Sequence, residues 1–127
     1  MVKLSLSNLP KKPKVSGAFF ASAKDAVLGS GYELSIAFVS PAKMSKLNRR
    51  YRKKSGSTDI LSFPLSKKEG EIVFCMKDVV RESKHFGRTP DNFLKFLFIH
   101  GLLHLKGYDH GVTMEKQERK FRTRFNV

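Results

Sequence analysis

Apolar residues recur along this chain with two periods, and the switches between them mark its elements. VKLSL, from Val2 to Leu6, alternates apolar and polar side chains, the rhythm of a half-buried strand. PKKPK, from Pro10 to Lys14, is a connector. Ser16 to Leu28 reads as a helix, with Gly29 or Gly31 behind it to supply a left-handed end. ELSIAFV, from Glu33 to Val39, is a second strand. Ser40 caps the next helix and Pro41 opens it. Its apolar stripe is Met44, Leu47 and Tyr51, with Asn48 on the same side and Arg52 one turn further, at the border of the protein body. Ser55-Gly56-Ser57 is a turn. TDILSFP, from Thr58 to Pro64, is a strand closed by proline, and Lys67 to Gly70 is a tight polar connection. EIVFCM, from Glu71 to Met76, is apolar after its first residue and is predicted as a central strand. A helix follows from Lys77 to Phe86. Thr89 and Pro90 start another, apolar nearly all round and therefore buried, which runs to Lys106 and stops at Gly107. Thr113 is placed to cap a last helix, with Glu115 in its first turn and arginines in its last.

A chain of 127 residues is long enough for one domain with its own core, and a composition 40% hydrophobic and 28% charged is that of an ordinary globular protein. The single cysteine, Cys75, excludes an intrachain disulfide and any Cys-x-x-Cys metal site, and fits a reducing, cytoplasmic compartment. The first residues lack the apolar run of a secretory signal, and no stretch is apolar for long enough to span a membrane. Charge changes the picture more. Lys and Arg number 25 against 11 Asp and Glu, a net +14, which attracts polyanions, nucleic acid foremost. Pro41 to Thr58 holds several basic residues and no acidic one. Lys43, Lys46, Arg50 and Lys53 lie toward solvent there, either as an ordinary solvated face or as a contact for RNA.

The chemistry lies in HGLLHLKGYDH, His100 to His110, which carries three of the four histidines. His100 and His104 are four apart on a buried helix, so they share a face. Charging both there is costly, and neutral rings need partners for two nitrogens each. A divalent metal meets both demands. Gly107 lets the chain turn so that His110 can return to the same point. Three neutral nitrogens with a fourth position open describe a catalytic zinc-type site. Taken singly, each ring would be read as a satisfied core or surface histidine; together, with the glycine between, they favour a metal. Asp109 adjoins His110, and neighbours seldom aim at one point, so it suits holding a histidine N–H from behind. His85 reads as a surface residue. The spacing is close to the metzincin pattern H-E-x-x-H-x-x-G-x-x-H, but Gly101 stands where those proteases have their general-base glutamate.

HGLLHLKGYDH resembles the signature of the YbeY family, bacterial endoribonucleases of ribosomal-RNA maturation. LNRRYRKKSGSTDILSFP, Leu47 to Pro64, is similar to a second block of that family, and GEIVFC, Gly70 to Cys75, to a third. Ser57 and Glu71 depart from the residues usual there, and the chain is somewhat short for the family. The resemblance implies an α+β fold, a small mixed sheet of about four strands packed with helices, and one metal, usually zinc, on His100, His104 and His110. It places the family's functional arginine at Arg52 and the asparagine before it at Asn48. It implies ribosomal RNA as substrate and the ribosomal subunit or its associated proteins as partners; single-stranded RNA is the form expected, because unpaired strands can enter a cleft and stack on aromatic residues.

A metal lowers the pKa of its water and polarises a phosphoryl oxygen. Arg52 is then the expected partner of the phosphate in bidentate contact; spacing alone would make it one surface arginine among many, and the resemblance is what singles it out. With Gly101 in the glutamate's place the base is open: water activated by the metal alone, or the RNA 2′-hydroxyl. Asp59 and Asp109 are candidates to help, though either can equally be a turn aspartate. Binding is expected from the basic helix and from KQERKFRTRFNV at the C-terminus, with Tyr51, Phe63 and Tyr108 as candidate stacking partners whose plainer role is packing. Cys75 is expected to be inert core. Two other readings stand: a ribosome-associated RNA-binding factor whose metal is chiefly structural, and a general metal-dependent hydrolase of small substrates.

Overall fold

The computed structural model describes residues 4–10 and 15–127; the expected strand residues Val2 and Lys3 and most of the expected connector lie outside that range. Nine elements follow in the order β1 (Leu4–Ser7), α1 (Gly17–Leu28), β2 (Glu33–Phe38), α2 (Pro41–Arg52), β3 (Ile60–Ser66), β4 (Glu69–Phe74), α3 (Met76–His85), α4 (Pro90–Lys106) and α5 (Val112–Phe125). The strands form one mixed sheet in the order β1-β2-β4-β3, with β1, β2 and β4 parallel and β3 antiparallel to β4. The fold is α+β, as expected.

Local chemistry sets most boundaries. Ser16, Ser40 and Thr89 each accept a hydrogen bond from a backbone N–H three residues on, and Pro41 and Pro90 sit in the first turns they suit. Several boundaries differ from the expected ones: β4 runs Glu69–Phe74 rather than Glu71–Met76, taking in part of the expected connection and leaving Met76 to open α3, and β2 stops at Phe38. Strand β3 starts later and runs through Pro64, which pairs with Gly70 before the register shifts at Ser66. An edge strand tolerates proline because one row of its N–H groups has no ladder to complete. Helix α5 begins at Val112 with Gly111 as its cap and no side-chain cap bond, so Thr113 lies inside the first turn.

The sheet is covered on both faces. Leu34, Ile36 and Phe38 of β2, with Ile72 and Phe74 of β4, meet α1, α3, α4 and α5 around Phe20 and Phe98. On the other face Met44 of α2 packs with Leu61, Val73 and Cys75. Strand β4 is therefore buried on both sides, which is why its apolar residues do not alternate. Cys75 is fully buried, and desolvation holds its thiol pKa up, as inert core requires. The apolar stripe of α2 ends differently from expectation. Asn48 takes the buried place, while Tyr51 is 56% exposed. Asn48 Nδ2 donates to the Gly56 carbonyl at 3.0 Å and so pins the loop after α2.

Helix α4 is pressed onto the sheet at Gly101. A Cβ there would lie 3.0 Å from both Ile60 Cδ1 and Ser62 Oγ and 3.2 Å from Ile72 Cδ1. This contact explains why no glutamate occupies that position: the space belongs to β3 and β4. Gly101→Val is expected to lower stability by about 1–3 kcal/mol through overpacking, measurable as a lower urea midpoint at unchanged slope.

Candidate metal centre

Helix α4 ends where Gly107 turns into the left-handed region, φ 109°, ψ 5°, and the Tyr108 N–H donates back to the Leu103 carbonyl at 3.0 Å. That turn carries the chain back over the last two turns of α4. It brings His110 to ring-centroid distances of 5.3 Å from His100 and 4.9 Å from His104. One nitrogen from each of the three rings lies within 4.8 Å of the others, and no further cysteine, histidine or carboxylate joins the group among the described residues.

Hydrogen bonds fix which nitrogens face inward. His104 Nδ1 meets the Tyr108 carbonyl at 3.1 Å, and His100 Nδ1 meets Glu118 Oε2 at 3.4 Å. Carbonyl and carboxylate oxygens only accept, so both Nδ1 atoms carry the proton and both Nε2 atoms carry a lone pair. Those two Nε2 atoms face each other at 3.0 Å. Facing lone pairs repel unless a positive charge lies between them. Bonds of about 2.0–2.1 Å to a tetrahedral ion would set two nitrogens about 3.4 Å apart, so the observed pair is close to what a metal requires. Burial, then the neighbouring His100 and His110, lower the His104 pKa against the raising effect of the Tyr108 carbonyl and Asp109. A neutral ring is the form that can donate to a metal. The donor set fits a divalent transition ion.

Glu118 is the residue that sequence reasoning missed. It is buried on α5, and although burial raises its pKa, the His100 hydrogen bond and the charge of Arg122 outweigh that and lower it. Asp109, expected behind a histidine, is instead exposed and makes no hydrogen bond to a ring; the Tyr108 carbonyl and Glu118 do that work. Met114, Glu118 and Phe121 fall at i, i+4 and i+7 on one buried face, so an acid on an apolar stripe was the available signal.

The centre opens into a cleft of about 690 Å³ between α4, β3 and the end of α2, lined by Tyr51, Arg52, Asp59, Phe63 and the three histidines. Arg52 thus shares a cavity with His100, His104 and His110, whereas Asn48 does not line it. Tyr51 and Phe63 meet edge to face at 5.0 Å on the cleft wall, while Tyr108 packs against the core. Asp59 is half-buried; burial chiefly raises its pKa, with Glu82 and Asp78 adding to this and backbone N–H groups opposing it. Lys43, Lys46, Arg50 and Lys53 are exposed on α2 and its cap, with Arg50 over the Tyr51 ring at 5.4 Å. His85 is on the surface, beside Glu82.

Fold and centre together fit a metal-dependent hydrolase. The family model Endoribonuclease YbeY matches residues 9–126, and the chain belongs to that family. An Endoribonuclease YbeY from Alkaliphilus metalliredigens is 32% identical, over 95% of this chain and 90% of the relative. One from Thermodesulfovibrio yellowstonii is 41% identical, over 70% of this chain and 60% of the relative. The solution structure of a Thermotoga maritima protein shares the fold, with a TM-score of 0.64 at 22% identity, covering 97% of this chain and 91% of that one. No helix among the described residues is long and apolar enough to cross a membrane.

Proposed function

We propose that this protein cuts single-stranded ribosomal RNA during ribosome maturation in the cytoplasm, with zinc held by His100, His104 and His110 and with Arg52 on the scissile phosphate. Family membership sets the reaction class, hydrolysis of RNA within the chain. The observation that carries the site assignment is the pair of histidine Nε2 atoms facing at 3.0 Å beside His110, on the wall of a cleft that also holds Arg52. An open cleft on the centre favours catalysis over a closed structural metal, for which a fourth protein donor would be wanted.

Each residue has a task. Glu118 and the Tyr108 carbonyl hold the rings of His100 and His104 so that Nε2 faces the centre. When bound, the ion supplies Lewis acidity toward water and toward a phosphoryl oxygen. The Arg52 guanidinium takes up the negative charge that grows on the phosphoryl oxygens. Asp59, with its raised pKa on the cleft wall, is placed to exchange a proton with the attacking or leaving oxygen. Tyr51 and Phe63 offer a stacking surface for an unpaired base, and the exposed lysines and arginine of α2 hold the backbone nearby. Ribosomal subunits and their proteins are the partners this reading implies.

The test is elemental analysis of the purified protein beside mapping of cleaved precursor ribosomal RNA. About one zinc per chain with cuts confined to unpaired segments supports the proposal; a metal-free protein that still cuts RNA overturns the metal assignment. Glu118→Gln is expected to weaken metal retention about 10–100-fold, because an amide supports the His100 N–H less well than a carboxylate. Competition with a chromogenic chelator measures it directly.

A further inference from the structure

A second hollow, of about 370 Å³, adjoins the main cleft at the histidines, and neither Tyr51 nor Phe63 lines it. It shares His100, His110 and Asp59 with that cleft, and its remaining walls include Phe86, Phe93, Phe96, Met114 and Glu115. Phe93 stacks with both of its neighbours, while Phe86 and Phe96 are tilted by 36° at 6.4 Å. Phe86 and Phe93 stack at 5.0 Å and 24°, and Phe93 and Phe96 at 6.0 Å and 12°. Phe86, just past the end of α3, is 58% exposed, so its own chain leaves much of that ring uncovered. Two guanidinium groups flank the array, with Arg88 over the Phe96 ring at 4.5 Å and Arg122 at 5.5 Å.

We infer that this hollow is a nucleobase subsite, which holds the base next to the cut phosphodiester on the side away from Tyr51 and Phe63. The inference rests on the proposed reading that RNA is cut at the three histidines. A strand whose scissile phosphate lies over His100 and His110 must send one neighbouring nucleotide to each side of them. On one side it meets Tyr51 and Phe63; on the other it meets Phe86 and its stacked partners. Unpaired bases lie flat on aromatic faces whatever their sequence. Arg88 and Arg122 supply positive charge for the phosphate that follows, and the Glu115 carboxylate can accept from a base N–H. An apolar peptide would find the array but not a use for the guanidinium groups beside it. The subsite also makes the protein selective for unpaired RNA, because a base held in a duplex cannot enter.

The experiment uses the metal-loaded full chain and a fluorescein-labelled single-stranded oligoribonucleotide, unmodified or with one abasic nucleotide walked across the cleaved bond. KM is measured for the parent, Phe86→Ala and Phe86→Tyr. The parent is expected to show KM raised about 5–150-fold by one abasic nucleotide adjacent to the cut. Phe86→Ala should show a comparable rise on the unmodified strand and little further rise with that abasic strand, and Phe86→Tyr should stay near the parent. An unchanged KM for Phe86→Ala overturns the subsite. So does an equal loss on every strand, which would mark a loosened fold rather than a lost stack. A parent that cleaves none of the strands overturns the underlying reading, and the subsite with it.

Discussion

His104→Ala is expected to give a folded protein that still binds single-stranded RNA but has lost its metal and its cleavage activity. His104 is central to the three rings: its Nε2 lies 3.0 Å from that of His100, and its centroid is 4.9 Å from His110. Deleting it leaves two donors, too few for a three-histidine ion. Changing a residue that merely supports a ligand costs roughly 10–100-fold in affinity or activity, and removal of the ligand itself is expected to exceed that. Binding should survive because the exposed charges on α2 lie outside the centre and electrostatic contact with phosphates does not depend on the metal. Metal content and cleavage should therefore fall together while anisotropy of a labelled strand changes little. A variant that cuts RNA at the parent's rate would remove the histidines from the chemistry. One that loses RNA binding as well would give them a structural role.

Arg52→Ala is expected to reduce the single-turnover cleavage rate by about 10²–10³, the usual cost of losing one preorganised donor aimed at developing charge. Arg52 is exposed at the last residue of α2, yet it lines the same cavity as the three histidines. Arg52→Lys should recover only part of the rate, since an ammonium keeps the charge but not the planar, bidentate geometry. Metal content should stay at the parent's level in both variants, which separates this role from that of the histidines. A rise in KM with kcat unchanged would place Arg52 in holding the strand, not in stabilising the transition state.

Glu118 and Gly101 show how differently two residues of one centre are written into a sequence. Gly101 is visible as a missing glutamate, and its reason appears only when α4 is laid against Ile60, Ser62 and Ile72. Glu118 sits 18 residues from His100 in the chain, and nothing local ties them. They meet because α5 returns across α4 after the turn at Gly107. Tyr51 illustrates the same limit on α2. Its spacing from Met44 and Leu47 suits a buried stripe, but the helix reaches its last turn where the sheet no longer covers it, and the ring faces the cleft beside Phe63. Pro64 reads locally as a strand end, and only its place on the sheet edge lets β3 continue through it.

By itself the sequence determined the starts of α1, α2 and α4, the buried character of α4 and β4, and the three-histidine motif. Each of these depends on short-range chemistry: a capping hydroxyl bonds an amide three residues away, helix period places residues four apart together, and glycine admits the left-handed turn. Tertiary structure alone decided that Arg52 and Asp59 share a cavity with the histidines, that Glu118 rather than Asp109 holds His100, and that an aromatic hollow adjoins the centre. Those are meetings between elements distant in the chain, set by how the helices pack on the sheet, and no local pattern encodes them.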